Sequence, residues 1–410
     1  MTAAVLSIGT EITRGEIVNT NANWLADRLT QIGFEVTEVA SVADDQTMLV
    51  TELRRMSRAH QVVVCTGGLG PTSDDITSAC AAMAAGVPLI RDVASIEAIA
   101  ERFKRMNRSM VAANIKQADF PAGATIMPNA VGTAPGFWMH MGGAVVAFFP
   151  GVPREMHYLF DHHAAVVLQS RAPCNTFQVR LRTFGEGESA LAEKLQGIES
   201  LYPNVTVGYR ASFPEIEVKL LARGKNETHA KYLATEAAQQ VKARLLSLVY
   251  GEGSCTLVGV TADAIRERGY KLAVAESCTG GLLTNLLTSE SASDYLVAGL
   301  VTYANEAKTK LLGVSEQLLE EHGAVSEQVA RAMAKGVAKA MGTELGVGIT
   351  GIAGPTGGTV DKPIGLVHLA VAHPGGVEAR HRVFSGDRDR VQRFAAFCAL
   401  HLLRKCCLKR

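Results

Sequence analysis

The string Ala275-Glu276-Ser277-Cys278-Thr279-Gly280-Gly281 closes an apolar run and opens an amphipathic one. A hydroxyl at such a strand-to-helix turn stands exposed at the sheet end, as in a nucleophile elbow, here without the G-x-S-x-G spelling. Ser277 is therefore a candidate nucleophile. The amides of Gly280 and Gly281 are expected to be free at the helix start, where backbone donors suit an oxyanion or a phosphate. The competing reading is that Ser277 or Thr279 caps the helix. Cys278 is a second candidate nucleophile, although adjacent side chains at a turn diverge.

A serine needs a base. Lys308 offers one, in Thr302-Tyr303-Ala304-Asn305-Glu306-Ala307-Lys308. Asn305 reads as an N-cap, which puts Lys308 in the first turn, against the positive end of the helix dipole. A site that lowers a lysine pKa makes it a general base. The alternative is an exposed lysine, with His322, His368 or His381 approaching in space. Thr350, in Gly348-Ile349-Thr350-Gly351-Ile352-Ala353-Gly354, adds a hydroxyl donor among small residues that admit a ligand. Arg388 opens the last helix and offers a planar fork for phosphate. It reads equally as part of a helix start capped by Asp387.

A second polar string, Thr66-Gly67-Gly68-Leu69-Gly70-Pro71-Thr72-Ser73-Asp74-Asp75-Ile76-Thr77, follows an apolar run. Gly67, Gly68 and Gly70 free the backbone to wrap an anion, with a helix expected to start near Asp74. Asp74 and Asp75 could hold a divalent metal or supply a base, or act as helix-capping acids. Glu11, Asp44, Asp45, Asn19, Asn21, the loop 129–136 and Pro150-Gly151-Val152-Pro153 fall at other strand ends, which fits one crevice. The run Arg102, Lys104, Arg105, Arg108 reads as a solvated helix face.

The elements that must position these residues alternate strand and helix. Apolar runs at Ala3–Ile8, Gln61–Cys65 and Ala144–Phe149 predict a parallel sheet covered on both faces over residues 1–168. Residues 171–252 read β-α-β-β-α, a KH-like module without the G-x-x-G loop that clamps RNA. Residues 255–410 return to α/β patterning, with strands at Lys271–Ala275, Leu296–Tyr303, Leu345–Ile349 and Ile364–Ala372.

Of 410 residues, 41 are Lys or Arg and 40 are Asp or Glu, a formal net charge of +1 that argues against coating nucleic acid or an anionic membrane. No apolar stretch is long enough for a membrane span, and no basic leader precedes the first strand. The eight cysteines form no C-x-x-C pair, as expected of reduced thiols in a cytoplasmic protein. The basic end, Arg404-Lys405 and Lys409-Arg410, reads as a solvated tail.

The four C-terminal strings together resemble the amidohydrolase domain of the CinA (competence/damage-inducible protein A) family, a nicotinamide mononucleotide deamidase. The resemblance implies Ser277 as nucleophile, Lys308 as base and Tyr303 as helper, with no cofactor. It implies substrate contacts from Gly280, Gly281, Asn305, Thr350, Gly351 and Gly354, and a phosphate contact from Arg388. The T-G-G-x-G-P-x-x-x-D string and the late P-G-x-P resemble the molybdopterin-binding fold and the N-terminal domain of the same family. They imply a metal-dependent ADP-ribose pyrophosphatase with unknown metal ligands. Asp75 would be catalytic, and Asp44, Asn21, Gly67, Gly68 and Gly70 would bind substrate. The same resemblance also fits molybdenum-cofactor binding or adenylyl transfer, or a non-enzymatic competence partner. The family further implies a homodimer.

Overall fold

The first apolar runs are strands because both faces of their sheet are covered. A computed structural model describes residues 1–408; Lys409 and Arg410, the end of the basic tail, lie outside the described residues. Strands β1 (Thr2–Ile8), β2 (Glu35–Val42), β3 (Val62–Thr66) and β8 (Ala144–Phe149) run parallel. Two antiparallel strands, β6 (Thr125–Met127) and β7 (Gly136–Met141), extend one edge, giving the order β2-β1-β3-β8-β7-β6. The sheet is thus mixed rather than wholly parallel. Between β3 and β6, β4 (Leu89–Arg91) pairs with β5 (Asp119–Pro121).

Alternation along β1 divides the two cores. Ala4, Leu6 and Ile8 join Leu49, Leu53 and Met56 of the helix Gln46–Ala59. Ala3 and Val5 join Leu25, Leu29 and Ile32 of the helix Thr20–Ile32. The helix expected near Asp74 starts only at Thr77. The Asp75 carboxylate instead closes its loop, accepting from the amide and hydroxyl of Thr72 at 2.8 and 2.5 Å. Arg102 departs from a solvated face, because its guanidinium donates to Val131 O at 2.9 Å.

The middle module has strands β9 (Asn175–Thr183), β10 (Val205–Ser212), β11 (Glu215–Gly224) and a short β12 (Val249–Glu252), in the order β10-β11-β9-β12. Its long helix is Glu227–Leu245. The chain separates into two compact units, Met1–Gln178 with Leu221–Ala234, and Val179–Leu220 with Thr235 onward.

In the C-terminal domain, β13 (Leu272–Glu276) lies between β14 (Leu296–Val301) and β15 (Leu345–Gly351), parallel to both. Strands β16 (Leu366–His373) and β17 (Gly376–Val383) continue antiparallel beyond β15. The closing helix Arg388–Leu408 buries Val391, Ala395, Leu400 and Leu403, which lie on more than one side of it. Its end is no solvated tail: Cys406 and Cys407 are buried, and Arg404 donates to Tyr250 O at 3.1 Å. Among the described residues no helix is long and apolar enough to cross a membrane.

The helix Glu327–Met341 packs on the other face, and two glycines of β15 let it approach. A Cβ at Gly348 would sit 2.4 Å from Ala330 O and 2.6 Å from Ala334 N, both backbone atoms that cannot swing aside. Gly348→Ala is expected to cost about 1–3 kcal/mol through overpacking, read as a lower urea midpoint at unchanged m-value.

Candidate functional site

Parallel strands deliver their carboxyl ends to one edge, where ligands of open α/β sheets bind. Ser277 follows β13 there, and its amide donates to Ile349 O of β15 at 3.0 Å. Thr302, just beyond β14, donates its amide to Glu276 O at 2.7 Å. Three strand ends are thus tied around Ser277, which is 8% exposed.

Glu276 governs the turn. Its side chain is fully buried and accepts from the amides of Gly281, Leu283 and Thr284 at 3.1, 3.0 and 2.8 Å, and from the Thr284 hydroxyl at 2.7 Å. The helix Leu282–Thr288 therefore starts on a carboxylate from the preceding strand. Neither Ser277 nor Thr279 caps it. The amide of Gly280 is also engaged, donating to Ser277 O at 3.1 Å. Gly280 and Gly281 thus allow the turn, with φ of +64° and +99°, but their amides are not free as expected. The amides of Cys278 and Thr279 make no hydrogen bond among the described residues, and the Thr279 hydroxyl is buried without a partner.

Lys308 is 1% exposed, and its ammonium donates to Tyr303 O at 2.9 Å. Burial pushes its pKa below the ordinary lysine value. No hydrogen bond joins it to Ser277 Oγ among the described residues. Ala304, not Asn305, occupies the N-cap position of its helix, and Asn305 is exposed. Burial raises the Cys278 thiol to about 12, so its reactive thiolate is scarce at neutral pH.

Arg388 gathers the rest. It donates to Gly354 O at 2.8 Å and to the Tyr303 hydroxyl at 3.3 Å, bringing Tyr303, Gly354 and Arg388 together. Gly351 ends β15 against Leu366 and Val367 of β16. The Thr350 hydroxyl is committed to Ala324 O at 2.8 Å. Of the candidate histidines, His368 lies opposite Thr350 in register, its ring 5.3 Å from that of His381.

Two residues had no role assigned from the sequence. Glu276 ends an apolar run, and an acid there is the available signal. Gln392 donates to Cys278 O at 2.7 Å, holding the turn to the closing helix. It is one helical turn after Arg388, so helical spacing could have found it.

In the N-terminal domain, Asn21, Asp44, Gly67, Gly68, Gly70 and Asp75 line one crevice of about 480 Å³. Glu11 and Asp74 line it too. Asp44 accepts from the amide and hydroxyl of Thr10 at 2.8 and 3.0 Å. Asp45 turns away to cap the helix Gln46–Ala59 through Met48 N. Gly67 N donates to Phe149 O at 2.9 Å, whereas the amides of Gly68 and Gly70 make no hydrogen bond among the described residues. Asn21 donates to Gly151 O at 2.7 Å, leaving Asn21 Oδ1 buried without a partner. Glu155, not singled out from the sequence, also lines the crevice. Burial raises its pKa, and Asn129 donates to it at 2.6 Å.

These acids fit a hard cation carried in by a pyrophosphate, held by one or two carboxylates rather than a closed cage. Asn21 Oδ1 adds an uncommitted oxygen. Elsewhere, His373, Glu378 and Cys406 converge within 4.8 Å. There His373 Nδ1 accepts from Gly375 N at 3.1 Å, which leaves the neutral ring's proton on Nε2, against ligation through that atom.

Glu276→Ala would leave several buried donors without an acceptor. It is expected to cost about 3 kcal/mol or more in urea unfolding, with Glu276→Gln intermediate.

Three family models cover the chain: "Probable molybdopterin binding domain" at residues 4–169, "Damage-inducible protein CinA KH domain" at 178–251 and "CinA C-terminal domain" at 255–407. A CinA-like protein of Anaeromyxobacter dehalogenans (strain 2CP-C) is 42% identical over 98% of this chain and 99% of its own. One from Geobacter sulfurreducens is 41% identical over 99% of each. A crystal structure of CinA from Thermoplasma acidophilum, described as of unknown function, is 34% identical over 40% of this chain and 97% of that one, with a TM-score of 0.38. By its matches along nearly the whole chain, the protein belongs to the CinA family, with a molybdopterin-binding-like domain, a KH-like module and a CinA C-terminal α/β domain.

Proposed function

We propose that the C-terminal domain hydrolyses the carboxamide of nicotinamide mononucleotide to nicotinate mononucleotide and ammonia. The observation that carries this reading is Lys308, buried at the sheet edge on a carbonyl rather than a carboxylate. An ammonium so placed gives up its proton more readily than one in water. Ser277 Oγ attacks the amide carbon as its proton passes to Lys308 Nζ. That proton leaves with the departing nitrogen as ammonia. Water, deprotonated by Lys308, then hydrolyses the ester on Ser277.

The open amides of Cys278 and Thr279, with the unpartnered Thr279 hydroxyl, serve the oxyanion. The residue after the nucleophile has this part in nucleophile elbows. Arg388 receives the phosphate, and Tyr303 orients beside it. The scheme needs no cofactor.

For the N-terminal crevice the proposal is hydrolysis of the pyrophosphate of ADP-ribose. A divalent cation there neutralises the pyrophosphate charge. Asp75 and Asp44 would hold it, and Asp75 would aid attack by water. Gly68 and Gly70 would offer amides, and Asn21 would fix the substrate. A second reading, binding of a molybdopterin nucleotide, is favoured by the family match over residues 4–169. The protein would act as a cytoplasmic homodimer on small molecules, without nucleic acid or membrane.

Ammonia release from nicotinamide mononucleotide, with chelator present, tests the first activity. Ser277→Ala and Lys308→Met are expected to lose about 10³-fold or more, while Lys308→Met stays at least as stable as wild type in urea. The folded pKa of Lys308 lies below its unfolded value, so the unfolded chain binds more protons between the two. Stability in that window rises with pH. Activity also rises with pH, through a pKa below that of free lysine, and an unchanged profile in Lys308→Met would remove the base assignment. In the other domain, ADP-ribose cleavage should need added divalent metal and fall with Asp75→Asn. Pterin binding without cleavage would favour the second reading.

A further inference from the structure

The two open amides at the Ser277 turn are held from behind. In a planar trans peptide the carbonyl and the N–H point opposite ways, so whatever binds the carbonyl aims the amide. Cys278 N–H shares its peptide with Ser277 O, which accepts from Gly280 N at 3.1 Å and so closes a turn over residues 277–280. Thr279 N–H shares its peptide with Cys278 O, which accepts from Gln392 Nε2 at 2.7 Å. The first amide is thus aimed by backbone. The second is aimed by a side chain of the closing helix.

The Cys278–Thr279 unit is the central peptide of that turn. Flipping such a peptide interconverts type I and type II turns. A flip here would carry Thr279 N–H to the opposite face and demand a positive φ at Thr279, which a β-branched residue avoids. Thr279 has no positive φ, and Gln392 adds a second restraint. A carbonyl only accepts, so the group facing it is the amide nitrogen of Gln392. That side chain is half-buried and lies along the turn, its Nε2 4.0 Å from where a Cβ on Gly280 would stand. Gln392 follows Arg388 by one helical turn. Neighbouring positions of one helix therefore reach Gly354 O, the Tyr303 hydroxyl and Cys278 O. A hydrogen bond at a carbonyl also polarises the peptide and strengthens its N–H as a donor.

We propose that Gln392 is a positioning residue for the oxyanion, fixing and polarising the Thr279 amide through Cys278 O. This role rests on Ser277 acting as the nucleophile.

A fluorophosphonate probe tests it without a nucleotide, because the phosphoryl oxygen needs the same amides when Ser277 Oγ displaces fluoride from phosphorus. Labelling of Ser277, followed by mass spectrometry, is expected to slow about tenfold in Gln392→Met, less than the about 10²–10³-fold lost with an oxyanion donor itself. With nicotinamide mononucleotide the same variant should lose kcat by a similar factor at unchanged KM, since the oxyanion exists only after attack. Its pH profile should keep the wild-type pKa, because Lys308 is untouched. Gln392→Lys restores a donor and should recover part of the rate, and both variants should keep the wild-type circular dichroism. The role is overturned if Gln392→Met is labelled as fast as wild type, if its loss falls on KM rather than kcat, or if Gln392→Lys is no faster than Gln392→Met. A wild type that is neither labelled nor releases ammonia instead removes the serine reading, and this role with it.

Discussion

The C-terminal site depends on one buried carboxylate. A helix begins with amides that have no partner inside the helix, and with the positive end of its dipole. Here Glu276, the last residue of a buried strand, supplies the acceptor. Strand, turn and helix are thereby joined through one side chain, while the backbone of residues 276 and 277 bonds to both neighbouring strand ends. Ser277 sits where these constraints meet. The same bonds decide which donors a ligand can use. With Gly280 and Gly281 engaged, the open amides lie directly after Ser277.

This explains what was legible in the sequence and what was not. Apolar runs at β1, β3, β8, β13 and β15 read as strands because those strands are buried on both faces. Strand β17 carries Glu378, Arg380 and Arg382 on an exposed edge, so hydropathy gave no sign of it. The strings around Ser277, Lys308, Thr350 and Arg388 were visible because small and polar residues cluster at strand ends. Their partners were not. Glu276 binds mostly backbone amides, and Thr350 and Lys308 donate to carbonyls, groups that every residue possesses and no residue type announces. The late helix start at Thr77 has a similar origin, because Asp75 accepts from the Thr72 backbone amide as well as its hydroxyl and closes the preceding loop.

The two candidate sites use one architectural rule with opposite electrostatics. Both lie where parallel strands end. The N-terminal crevice collects Glu11, Asp44, Asp74, Asp75 and Glu155, and a phosphorylated ligand is repelled there unless a cation accompanies it. The C-terminal edge instead carries the cations Lys308 and Arg388, both bonded at Tyr303, and its buried acid Glu276 is consumed by a helix.

Lys308 is the residue least explained by folding. Burying an ammonium costs several kcal/mol unless it is paired, and Lys308 has one carbonyl for a partner and no salt bridge among the described residues. An apolar side chain of that length would fill the space at lower cost. The lowered pKa is the physical form of that cost, because desolvation opposes the charged state. A group held against its preferred ionisation on a backbone carbonyl at a strand end is what the proposed proton transfer requires. Desolvation thus favours the neutral amine, the state that the proposed proton transfer from Ser277 would use.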